Sequence, residues 1–181
     1  MPPQVLALSM HPYGCRVIQR VLEHTGPEEE AQQRSLVGEV AERALALSQD
    51  QYSNYVVQSI LSLGLDWASA QVMACLEGHF CEVSVQKFGS NVAEKCLKIG
   101  DGPLQSVRDG LIRELVATTS LERLLQDPYG NYVVQSALAV SRGQLHSELV
   151  EAIRPHMAAI KSSPYGKRIL ARSALLSEAF R

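Results

Sequence analysis

Apolar residues recur down this chain at i, i+1, i+4 and i+5, the spacing that puts four side chains on one face of a helix. The sets are Val17, Ile18, Val21, Leu22; Val56, Val57, Ile60, Leu61; Val92, Ala93, Cys96, Leu97; and Val133, Val134, Ala137, Leu138. All are expected in the core. Each set follows an aromatic residue and a small one: Tyr13-Gly14, Tyr52-Ser53, Phe88-Gly89 and Tyr129-Gly130, with a shorter fifth copy at Tyr165-Gly166. Successive aromatic anchors lie 36 to 41 residues apart. A period of that length predicts an all-α solenoid in which each unit buries its apolar face against its neighbours.

The intervening stretches are predicted helical too. Pro27 to Leu47 has Pro at a helix start, Glu28-Glu29-Glu30 where carboxylates suit the dipole, and a stripe of Leu36, Val37, Val40, Ala41, Ala44 and Leu45. Gly64 ends the second motif helix, and Trp67 to Val83 supply outer helices, with Trp67 packed among them. Gly100-Asp101-Gly102-Pro103 breaks the chain before helices over Leu104–Val116 and Leu121–Gln126. Gln144 to Ile160 is outer helix again, and Pro164 opens a C-terminal cap. At the other end Val5, Leu6 and Leu8 offer about two turns, too little to cover the first motif helix, so a fragment or a partner-covered edge is expected there. The chain divides as one array: 1–26 a partial repeat, 27–65, 66–100 and 101–141 full repeats, and 142–181 a capping half-repeat.

Between the core offsets each motif helix carries a second set. These triplets are Cys15, Arg16, Gln19; Asn54, Tyr55, Gln58; Ser90, Asn91, Glu94; and Asn131, Tyr132, Gln135. The first and third members are one turn apart, with the second beside them. Any soluble residue would serve on a merely solvated face. Short hydrogen-bonding groups and flat, stackable groups in fixed order, with Gln changing to Glu where Asn changes to Ser, call for a ligand.

Composition narrows which ligand. Apolar content of 46% with 20% charged residues is globular, and no apolar run reaches the roughly 20 residues that span a bilayer. The start Met1-Pro2-Pro3-Gln4 lacks a secretory pattern, so the cytosol is expected, with the nucleus or nucleolus left open. A net charge of −2 and a pI near 6.2 argue against binding driven mainly by phosphate attraction. Cys15, Cys75, Cys81 and Cys96 form no Cys-x-x-Cys pair, and His79-Phe80-Cys81 stands alone. No metal or cofactor is expected. Cys75, Cys81 and Cys96 are taken as small core hydrophobes, and no nucleophile with a positioned base is apparent, so an enzyme is not expected.

The stretches His11-Pro12-Tyr13-Gly14-Cys15-Arg16-Val17-Ile18-Gln19-Arg20, Lys87-Phe88-Gly89-Ser90-Asn91-Val92-Ala93-Glu94-Lys95-Cys96, Asn131-Tyr132-Val133-Val134-Gln135 and Pro164-Tyr165-Gly166-Lys167 resemble repeats of the Pumilio (PUF) RNA-binding family. The resemblance runs from about His11 to about Ala171, in the order of that family's last four repeats and C-terminal cap. It implies a right-handed, armadillo-like α-α superhelix that binds single-stranded RNA, one base per repeat. By the same resemblance, Asn54/Gln58 and Asn131/Gln135 face uracil, Ser90/Glu94 faces guanine and Cys15/Gln19 faces adenine. Arg16, Tyr55, Asn91 and Tyr132 would stack between bases, with Arg168 flanking the first. Family members run antiparallel to RNA, so the element would be 5′-UGUA. Messenger RNA, its 3′ untranslated region, repression or decay, and protein effectors complete what the resemblance implies, with no small-molecule substrate. Two other classes share such a fold: a protein-binding helical scaffold, which would not need stackable residues at one offset, and an RNA binder without base reading, which should be basic.

Overall fold

The computed structural model describes residues 3–24, 30–99 and 101–173, and among them every regular element is helical. Three kinds of helix alternate. Short ones are α1 (Pro3–Ser9), α4 (Ala44–Ser48), α7 (Phe80–Ser84), α10 (Leu121–Gln126) and α13 (Met157–Ser162). Each leads into a motif helix: α2 (Gly14–His24), α5 (Ser53–Ser62), α8 (Gly89–Leu97), α11 (Gly130–Val140) and α14 (Gly166–Arg172). The outer helices are α3 (Glu30–Ala41), α6 (Asp66–Leu76), α9 (Gln105–Ala117) and α12 (Gly143–Ile153). Motif helices pack in one row, α2 on α5, α5 on α8, α8 on α11 and α11 on α14, while α3, α6, α9 and α12 pack in a second. This is the expected solenoid.

The small residue after each aromatic anchor has a steric cause. A Cβ built on Gly89 would lie 2.7 Å from the Val83 carbonyl oxygen, and one on Gly130 would lie 3.0 Å from that of Leu124. Gly14 and Gly166 sit closer still to the carbonyl oxygens of Leu8 and Ile160. Where Ser53 takes this place, its hydroxyl donates to the Leu47 carbonyl at 2.8 Å and turns the close approach into a bond. In four of the five copies the side chain two residues before the anchor bonds the amides that open the motif helix. Asp50 Oδ1 accepts from the Tyr52 and Ser53 amides, and Asp127 Oδ1 from those of Tyr129 and Gly130, all at 2.8–2.9 Å. His11 Nδ1 accepts from the Tyr13 and Gly14 amides at a longer 3.2 Å, and Ser163 Oγ from the Tyr165 amide alone, also at 3.2 Å.

Several expectations need correcting. Pro27–Leu47 is not one helix: α3 stops at Ala41 and α4 begins at Ala44, and Pro27 to Glu29 lie outside the described residues. Leu36 and Leu45 are only partly buried beside the buried Val37, Val40, Ala41 and Ala44. Val17 and Val21, placed in the core by periodicity, are 56% and 47% exposed. Their counterparts Val56, Ile60, Val92, Cys96, Val133 and Ala137 are buried, and each of their helices packs on a motif helix before it, whereas among the described residues α2 has none before it. Cys96 is buried as expected, but Cys75 and Cys81 are intermediate, the Cys75 thiol near the Glu42 carbonyl just after α3 and the Cys81 thiol near the Glu114 carbonyl of α9. Trp67 packs partly buried on α6, with the Arg34 guanidinium 4.5 Å from its ring.

Candidate functional site

The four triplets line up because the motif helices do. Their middle members are exposed, as stacking groups must be: Tyr55 by 46% and Tyr132 by 40%, with Arg16 and Asn91 also on the surface. Arg16 already lies against its neighbour, its guanidinium carbon 5.6 Å from the Tyr55 ring centroid. Arg168 is exposed on the first turn of α14. The ring that meets Tyr132 at this end is Tyr165, with centroids 6.4 Å apart and planes tilted by 56°. The sequence showed Tyr165 only as a repeat anchor. Its place beside Tyr132 depends on how α14 seats on α11.

The outer members of the triplets behave differently from a solvated face. Asn54 and Asn131 are fully buried, and Cys15 and Ser90 nearly so. The Asn54 amide donates to the Asp50 carbonyl at 2.8 Å and its oxygen accepts from Gln58 Nε2 at 3.0 Å. Asn131 repeats both bonds, to the Asp127 carbonyl at 2.8 Å and from Gln135 at 2.9 Å. Each asparagine therefore holds its glutamine. The glutamine Oε1 and second amide hydrogen remain, an adjacent acceptor and donor.

The other two triplets lack this device. Cys15 Sγ lies 3.5 Å from the Pro12 carbonyl, and Gln19 donates to the Cys15 carbonyl at 3.1 Å. Ser90 is too short to reach its partner and donates to the Lys87 carbonyl at 3.3 Å. Glu94 instead accepts from Lys98 Nζ at 2.7 Å and from Ser136 Oγ, on the next motif helix, at 3.0 Å. Neither Lys98 nor Ser136 stood out in the sequence.

Complete burial pushes the Cys96 thiol up to about 12, and burial is also the main cause raising that of Cys81, so neither is a ready thiolate. Among the described residues no group of three or more His, Cys, Asp or Glu is placed to hold a metal ion. Nor is any described helix long and apolar enough to cross a membrane.

Comparison with known proteins agrees with this arrangement. A family model described as Pumilio-family RNA binding repeat matches residues 4–40, 43–73, 79–106 and 123–154, each segment framed from short helix to outer helix. Pumilio homolog 12 of Arabidopsis thaliana is 45% identical over 92% of the chain, which spans 26% of that relative's length. The structure of PUF-8 in complex with PBE-RNA superposes with a TM-score of 0.78 at 31% identity, over 98% of this chain and 50% of that one. The Puf4 RNA-binding domain bound to an HO endonuclease RNA 3′ UTR recognition sequence gives 0.79 at 32% identity, over 92% of this chain and 53% of that one.

Proposed function

Because the chain belongs to the Pumilio family of RNA-binding repeat proteins, we propose that it binds single-stranded RNA sequence-specifically, one base to each motif helix, with 5′-UGUA as its element. The observation that carries this is the row of four polar side chains, Gln19, Gln58, Glu94 and Gln135, each presented beside an exposed residue able to stack. Gln58 and Gln135, fixed by buried asparagines, offer the adjacent acceptor and donor that match uracil N3–H and a carbonyl. Glu94 offers acceptors only, which suits guanine N1–H and N2–H2. Gln19 beside Cys15 is assigned adenine by family resemblance. Between Arg16 and Tyr55, and beside Tyr132 and Tyr165, an entering base would exchange one protein contact for two flat faces, each base stack worth about 1–3 kcal/mol.

We propose further that its targets lie in transcript 3′ untranslated regions, that binding leads to repression or decay through protein effectors, and that it acts in the cytoplasm; the first of these is supported by the similar Puf4 domain, which is bound to a 3′ UTR recognition sequence. A near-neutral chain that recognises bases should show a shallow salt dependence. The test is equilibrium binding to a short RNA carrying 5′-UGUA and to the twelve single-base variants, each at two salt concentrations. Preference for the parent at all four positions is expected. Equal affinity for the variants, or a steep salt slope without base preference, would refute base recognition.

A further inference from the structure

We propose that Lys98 and Ser136 are positioning residues that hold the Glu94 carboxylate as a guanine acceptor; the inference rests on the assignment of Glu94 to guanine given above. In two of the four triplets the orienting partner comes from within the same helix, Asn54 for Gln58 and Asn131 for Gln135. Ser90 cannot supply it, because its hydroxyl is turned to the Lys87 carbonyl. A free glutamate would sample several rotamers and lose that freedom on meeting a base. Lys98, one turn on, and Ser136, across the interface between α8 and α11, supply the missing constraint, and both bonds converge on Oε2. Oε1 keeps both of its lone pairs for guanine's donors.

The equivalent positions in the other repeats do not do this. Ser62, four residues after Gln58, donates to the Gln58 backbone carbonyl, and Ser59, which matches Ser136, donates to its own helix at Tyr55. Ala139 follows Gln135 at that spacing and has no polar group, while Glu23 follows Gln19 and pairs with Arg20. Among the described residues, only the repeat with a carboxylate draws on a cation and a neighbouring hydroxyl. The cation also opposes the Coulombic cost of presenting a partly desolvated carboxylate, whose side chain is 23% exposed, to a base edge.

The experiment compares the full chain with Lys98→Met, Ser136→Ala and the conservative Lys98→Arg and Ser136→Thr, in binding to 5′-UGUA RNA and to forms with A or U at the second base. Each removal should lower the preference for G by about three- to tenfold, the scale of one hydrogen bond. Preferences at the other three bases should not move, and the conservative variants should restore most of the effect. In a Glu94→Gln background the same removals should add nothing. Lys98 is 59% exposed, so Lys98→Met reports on the carboxylate even if thermal melts show that Ser136→Ala loosens α11. An unchanged G preference in a parent that has one overturns the positioning role and leaves base recognition standing. Loss of affinity equal for all RNAs, with a shallower salt slope, assigns Lys98 to the phosphate backbone and overturns the proposal. A parent with no preference for G removes the premise and the proposal together.

Discussion

Replacing Ser90→Asn, Asn91→Tyr and Glu94→Gln together converts the third triplet into the pattern of its neighbours, and the structure indicates how it should fit. The Gln86 carbonyl stands four residues before position 90, as those of Asp50 and Asp127 stand before Asn54 and Asn131, so an asparagine amide finds the same acceptor. Its oxygen can then hold the new glutamine as Asn54 holds Gln58. Lys98 loses its partner but is half-exposed and turns to water, so no charge is stranded. Against guanine, glutamine has one acceptor and one donor where two acceptors are needed. One guanine donor is left unpaired at about 1–3 kcal/mol, or roughly five- to 150-fold. Against uracil, a donor replaces an oxygen that faced a carbonyl, a gain of similar size. The ratio of G to U affinity at the second base should therefore swing by the product, at least about 25-fold. Competition binding with fluorescent 5′-UGUA and 5′-UUUA RNAs measures it, with a thermal melt to confirm that the variant is folded. A folded variant that still prefers G would refute the residue-to-base assignment.

Other consequences concern the fold. Ile60→Ala should cost about 2–5 kcal/mol in chemical denaturation because Ile60 is fully buried, whereas Val21→Ala, at a position 47% exposed, should fall within about 0.5 kcal/mol; equal costs would mean that α2 is covered in solution. Gly89→Ala should lower the melting temperature, with a loss of about 1–3 kcal/mol, since its methyl would meet the Val83 carbonyl and side chain; a neutral result would show that α7 shifts freely. The Cys96 thiol, raised in the folded chain from 9.0 to about 12, holds its proton more tightly folded than unfolded. Its contribution is thus intact below pH 9.0 and should be lost as pH rises toward about 12, so Cys96→Ala should weaken the alkaline decline in stability. Denaturation at pH 8 and pH 11 on both proteins checks it, and parallel declines would exclude Cys96 as a cause.

The all-α solenoid, the motif helices and the candidate triplets were legible in the residues because each follows from local spacing. Four apolar positions on one helical face, repeated every 36 to 41 residues, admit few other arrangements. What spacing could not show was which side of a motif helix its neighbour covers. Val17 and Val56 have the same offset and opposite exposure, because burial at that offset is supplied by a different helix. Asn54 and Asn131 looked like surface groups by type and register, yet the tertiary packing buries them and turns them into supports for Gln58 and Gln135. Tyr165 beside Tyr132, and Ser136 on Glu94, join residues from different repeats. Such pairs depend on how one helix seats on the next, and the periodicity of a single helix carries no record of its neighbour's rotation and height.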